Sequence, residues 1–125
     1  MAKDDYVLGI DQSTQGTKAL LFDGEGNLIS VKSQPHRQII NDLGYVEHSL
    51  DEIAKNVIGT VKALVDEDPD RAYKIKCAGL SVQRETVGAW RRSTQRPLYH
   101  AVVWQCPRGA EYVRREEIAG SAQSI

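Results

Sequence analysis

Asp11 closes a short apolar run, and six small or polar residues follow it within VLGIDQSTQGTKALLFD, Val7 to Asp23. A tight loop of Gln12, Ser13, Thr14, Gln15 and Gly16 turns several backbone N–H groups into one concavity, and such nests favour anions, phosphate among them. Ser13 and Thr14 add hydroxyl donors, Gly16 permits a close backbone approach, and Lys18 adds a positive charge. A carboxylate next to phosphate is repulsive unless a cation lies between them. Asp11 therefore calls for a hard ion such as Mg²⁺, which keeps part of its water shell. The plain alternative is an Asx-type turn in which Asp11 bonds its neighbours' amides. These residues alone leave both readings open.

Two further stretches carry chemistry. SVQRETVGAW, Ser81 to Trp90, puts Gln83, Arg84 and Glu85 at the end of an apolar strand. Adjacent side chains of a regular strand point to opposite faces, but at an irregular strand end both can turn into one pocket. A guanidinium fork beside a carboxylate suits neighbouring hydroxyls, which donate and accept; a solvated ion pair is the commoner fate of such a dipeptide. In AVVWQCPRG, Ala101 to Gly109, Trp104 ends an apolar run before a proline turn. Its ring can stack on the C–H face of a polyol while its N–H donates; packing in the core is the alternative.

The elements that must position these residues are legible from their patterning. Strands are expected at Tyr6 to Ile10, Thr17 to Phe22 and Leu28 to His36, with DGEGN (Asp23 to Asn27) as a turn between the last two. Ile39 to His48 has no clear period and is expected to be a loop. Ser49 with Glu52 three residues on is a capping box, and Ile53, Val57, Val61, Leu64 and Val65 then mark one helix face. Gly59 inside that helix costs roughly 1 kcal/mol against alanine, which predicts a packing reason for it. The helix ends before Pro69. Ile75 to Val82, Thr86 to Trp90 and Leu98 to Trp104 are expected as strands, and a helix is expected from Pro107 onward. The order β-β-β-α-β, then a hairpin and a helix, predicts an α/β domain with a helix on a mixed sheet.

The 125 residues suffice for one ordinary domain. A net charge of −1, from 16 basic and 17 acidic side chains, argues against nucleic acid or an anionic membrane as the main partner. No apolar run approaches the ~20 residues that span a bilayer. MAKDDY has no apolar signal region, and the isolated Cys77 and Cys106 have no metal-ligand spacing, so free thiols in a reducing cytoplasm are expected.

Taken together, GIDQSTQGTKALLFD, GYVEHSLDEI, GLSVQRETVGAW and RPLYHAVVWQCPRG resemble, in order and spacing, segments of the FGGY family of ATP-dependent carbohydrate kinases, in particular its glycerol kinase and xylulose kinase branches. The resemblance covers nearly the whole chain. It implies a ribonuclease-H-like (actin/hexokinase-type) domain with a mixed five-stranded sheet and flanking helices. It also implies that residues 1–125 are the N-terminal part of the family's N-terminal domain, without the C-terminal domain. ATP and Mg²⁺ are the implied cofactors. Asp11 would hold Mg²⁺ through water; Gln12, Ser13, Thr14, Gln15 and Lys18 would approach the ATP phosphates. Arg84, Glu85 and Trp104 would contact the hydroxyls of glycerol or of a ketose such as xylulose. CPRG departs from the DTRT-like ending usual in glycerol kinases, which keeps the ketose among the expected substrates. The family's general base lies downstream of the matched segments, so no catalytic residue is assigned and the chain by itself is expected to be inactive. Two other readings are a non-catalytic, self-associating module and a ribonuclease-H-like nuclease that holds two metals with Asp11, Glu85 and further acids.

Overall fold

The computed structural model describes residues 1–115 and residue 120. β1 (Tyr6–Gln12), β2 (Gly16–Asp23) and β3 (Leu28–Pro35) form an antiparallel meander. β4 (Ile39–Ile40) and β5 (Val46–His48) follow, then α1 (Leu50–Asp66) and the short α2 (Asp70–Lys74). The chain returns as β6 (Ile75–Val82), parallel to β1, and the main sheet has the order β3-β2-β1-β6. It is α/β and mixed, as expected; among the described residues it has four strands, not the expected five. The residues after β6 leave its edge open and build elsewhere: β7 (Ala101–Val102) pairs with β5 in a second sheet of order β4-β5-β7.

Alternation along the strands decides which face is covered. Leu8 on β1 and Ala19 and Leu21 on β2 pack against Leu64 of α1, with Tyr6, Ile10, Val61 and Ile75 around them. On the other face, Asp11 stands beside Lys18 on β2 and Ser81 on β6, its cross-strand partners. The helix lies over β2 and β3. Leu80 and Val82 of β6 fall outside its cover and stay 67% and 63% exposed.

Local chemistry follows the sequence closely in the first half. Asp23 Oδ1 accepts from the amides of Glu25 and Asn27, and Gly26 takes φ +87°, as the DGEGN turn requires. The Ser49 hydroxyl accepts from the Glu52 amide at 3.2 Å. The other half of the capping box does not form, because the Glu52 carboxylate takes the amide and guanidinium of Arg37 instead. Gly59 has no packing reason: a Cβ there would meet nothing within 4 Å.

The second half departs more. Ile39 to His48, expected as a loop, contains two strands. Thr86 to Trp90 and Leu98 to Trp104 are mostly irregular, tied by the Val87–Val102 and Trp90–Pro97 bridges with β7 as their one regular piece. From Pro107 there is a 3-10 turn to Gly109 and one helical turn, α3 (Ala110–Val113). Arg114 and Arg115, expected to continue the helix, form a turn and a bend, and residues 116–119 of the expected helix lie outside the described residues. Among the described residues no helix is long and apolar enough to cross a membrane.

Candidate functional site

Asp11, the penultimate residue of β1, lines a cleft of about 220 Å³. The cleft is lined by Asp11, Gln12, Ser13 and Thr14 from one side and by Val82, Gln83, Arg84 and Trp104 from the other. The hairpin after β1 and the strand end after β6 are 70 residues apart in sequence, yet the parallel pairing of β1 with β6 places their ends side by side. Ligands of open α/β sheets bind at such strand ends.

The β1–β2 hairpin is closed by Ser13. Its amide donates to the Gly16 carbonyl at 2.8 Å, and its hydroxyl donates to the same oxygen at 3.0 Å. The Ser13 hydroxyl is thus largely committed to the turn. The amides of Thr14 and Gln15, among the described residues, find no protein acceptor, which leaves two adjacent donors at the loop tip. Gly16 is required for packing, not for a ligand: a Cβ there would lie 2.6 Å from the Gln34 carbonyl oxygen on β3.

Trp104 joins the hairpin to the other wall. Its indole N–H donates to the Thr14 hydroxyl at 3.0 Å, and the Arg84 guanidinium lies over its ring at 5.2 Å from the centroid. The Thr14 hydroxyl, accepting from the indole, keeps its own proton to donate. Trp104 is 42% exposed, so it is a wall of the cleft and not a core residue. Glu85 is exposed and sits at φ +49°, a left-handed conformation that an ordinary side chain adopts at a cost of about 1 kcal/mol.

Six of the nine expected residues therefore meet in one place: Asp11, Gln12, Ser13, Thr14, Arg84 and Trp104. Gln15 lines a neighbouring cavity of about 560 Å³ instead. Lys18 is exposed on the Asp11 face of the sheet and lies outside the cleft lining, as does Glu85. Gln12 is buried, and its amide donates to the Ser13 carbonyl and faces His36 at 3.0 Å, so it braces the loop from behind. No group of three or more His, Cys, Asp or Glu side chains that could hold a metal occurs among the described residues. A two-metal nuclease therefore finds no acid cluster around Asp11.

Supporting residues emerge that composition and spacing did not single out. Buried Glu47 on β5 accepts from Arg108, from the Tyr99 hydroxyl and from His100, and so pins both ends of the segment that carries Trp104. The Arg108 guanidinium beside it holds its carboxyl below the usual range. His36 and His48, both buried, stand 5.8 Å apart behind the hairpin, and burial pushes both rings below the ordinary imidazole value. The signal for these residues was the EH pair at 47–48 inside a stretch with no period.

Residues 6–125 match the FGGY family of carbohydrate kinases, N-terminal domain. The chain belongs to this family. It is 37% identical over 118 residues to glycerol kinase 1 of Thermotoga maritima, covering 92% of this chain and 24% of that protein. It is 36% identical over all 125 residues to the glycerol kinase of Desulforamulus reducens, 25% of that protein. Among solved structures it resembles Plasmodium falciparum glycerol kinase with ADP, with a TM-score of 0.81 and 37% identity over 87% of this chain and 22% of that one. A ligand-bound xylulose kinase from Lactobacillus acidophilus shares the fold, with a TM-score of 0.85 at 22% identity over 96% of this chain and 24% of that one. The FGGY chain described here thus spans about a quarter of the length of the relatives it matches.

Proposed function

We propose that this segment carries one half of the site of an ATP-dependent polyol or ketose kinase: the phosphate hairpin and the hydroxyl clamp. The observation that carries the reading is the hydrogen bond from Trp104 to Thr14, which ties the expected clamp to the expected phosphate loop across one cleft. The glycerol kinase relatives support glycerol first among substrates, with a ketose as the alternative.

The residues fit ATP with Mg²⁺. Two unpartnered amides at Thr14 and Gln15 and the Thr14 hydroxyl suit phosphate oxygens. Asp11 in the same cleft suits a magnesium ion held through water, which supplies charge neutralisation when bound. Gln12 and Ser13 hold the loop in shape. Lys18 on the Asp11 face contributes positive potential toward a phosphate from outside the cleft. Arg84 takes substrate hydroxyls from the cleft wall, Glu85, exposed and outside the lining, reaches them only by turning inward, and the Trp104 ring covers the C–H face. Gln15 borders the phosphate side through the neighbouring cavity.

The group that takes the proton of the attacking hydroxyl, and the domain that closes over ATP, are assigned to residues outside this segment. Loss of a general base alone forfeits roughly 10²–10⁴ in rate, and loss of closure removes positioning and water exclusion as well. A coupled ADP-release assay tests this with glycerol, xylulose and related polyols. The full-length polypeptide that contains this segment should turn over with one of them and lose that turnover in Asp11→Ala, while residues 1–125 alone stay inactive. Substrate-dependent turnover by residues 1–125 alone, or an Asp11→Ala enzyme as fast as its parent, contradicts the assignment.

A further inference from the structure

A line of hydrogen bonds joins the two walls of the cleft, from Thr14 on one to Gln83 on the other, through Gln38 and His48, which lie outside its lining. Gln38 Nε2 lies 2.9 Å from the Thr14 carbonyl, His48 Nε2 lies 2.8 Å from Gln38 Oε1, and Gln83 Nε2 lies 3.4 Å from His48 Nδ1. The direction of every link follows from one end. A carbonyl only accepts, so Gln38 must turn its NH₂ to Thr14 and its oxygen to His48. His48 must then carry a proton on Nε2. In a neutral ring Nδ1 is left as the acceptor, and Gln83 donates to it.

The three links belong to three elements: the residues before β4, the end of β5 and the residue after β6. Gln83 precedes Arg84, and Thr14 is the residue that accepts the Trp104 indole. We infer that His48 is a positioning residue: as a neutral imidazole protonated on Nε2, it holds the Thr14 carbonyl and Gln83 in fixed relation and so sets the hairpin against the strand that carries Arg84. Its bearing on catalysis rests on the kinase reading of those two walls.

The surroundings favour the neutral ring. His48 is fully buried, and burial lowers its pKa; the neighbouring His36 works in the same sense, while Glu52 on α1 works against it. Gln83 Oε1 is buried and has no partner, so a proton on Nδ1 would be met by a turn of the Gln83 amide that presents this oxygen and reverses the last link.

The test uses the 125-residue chain labelled with ¹⁵N. At neutral pH the His48 ring nitrogens should report the neutral Nε2–H tautomer; a charged ring or the Nδ1–H tautomer overturns the inference. The Gln15 amide nitrogen is the peptide partner of the Thr14 carbonyl and senses what that carbonyl accepts. Gln83→Ala removes a side chain bonded to His48 and not to Thr14 or Gln38, and should nevertheless shift the Gln15 resonance. The shift should disappear when Gln83→Ala is made in a Gln38→Ala background, where the exposed Gln38 can be removed without loss of the fold. A Gln15 resonance indifferent to Gln83→Ala, or one that moves equally in both backgrounds, overturns it. Neither readout needs ATP or a polyol, so the inference fails or survives separately from the kinase reading, which turnover tests.

Discussion

Gly16 shows how a residue can be read correctly in type and wrongly in reason. The sequence signals a close backbone approach, and the loop makes one, but the approaching group is the Gln34 carbonyl of β3. Gly16→Ala should therefore destabilise the chain by roughly 1–3 kcal/mol through overpacking, measured by urea unfolding; a variant as stable as its parent contradicts the packing account. Trp104, Arg84 and Asp11 were legible because each combines a chemically capable side chain with a strand end. Glu47 and Arg108 were not, because a charge pair 61 residues apart leaves no local trace. His48 leaves no local trace for the same reason: its partners Gln38 and Gln83 lie 10 and 35 residues away.

At the level of elements, α1 was the most legible, since its cap and its apolar face agree with each other and with the sheet it covers. Its glycine is the exception. With open space around Gly59, Gly59→Ala should stabilise the chain by about 1 kcal/mol through helix propensity, visible as a raised urea midpoint; a loss of stability would reveal a contact that the geometry lacks. The short strands β4 and β5 were illegible because two or three residues cannot display a period. β5 matters through buried His48, which it places beside His36, the residue that follows β3. His36 and His48 both have folded pKa values below the ordinary 6.5, chiefly from burial. Below that value the unfolded chain takes up protons first, so their contribution to stability is whole above it and is lost as pH falls. The carboxylates with shifted values start from 3.8 or 4.5 and act lower. The urea midpoint should therefore drop between about pH 7 and pH 5; a level or rising midpoint in that window contradicts the buried, neutral histidines.

For the whole molecule, the helix-on-sheet plan was readable from element order, and the strand count was not. The five-stranded sheet was implied by the resemblance, and pattern alone cannot say which sheet a strand of the second half joins. β6 remains an edge with Leu80 and Val82 bare, a surface that favours association of the chain in isolation. In the proposed kinase this domain separates two duties, phosphate on the hairpin and hydroxyls on the Arg84 wall. The most direct measurement is steady-state kinetics of Arg84→Ala in the full-length polypeptide, with ATP and polyol varied in turn. A site built to hydrogen-bond hydroxyls suffers when its donors are removed. The KM for the polyol should rise by about tenfold or more, about the 1.4 kcal/mol of one charge-assisted hydrogen bond, while the KM for ATP stays within about threefold. Equal damage to both, or none to the polyol, would contradict the account.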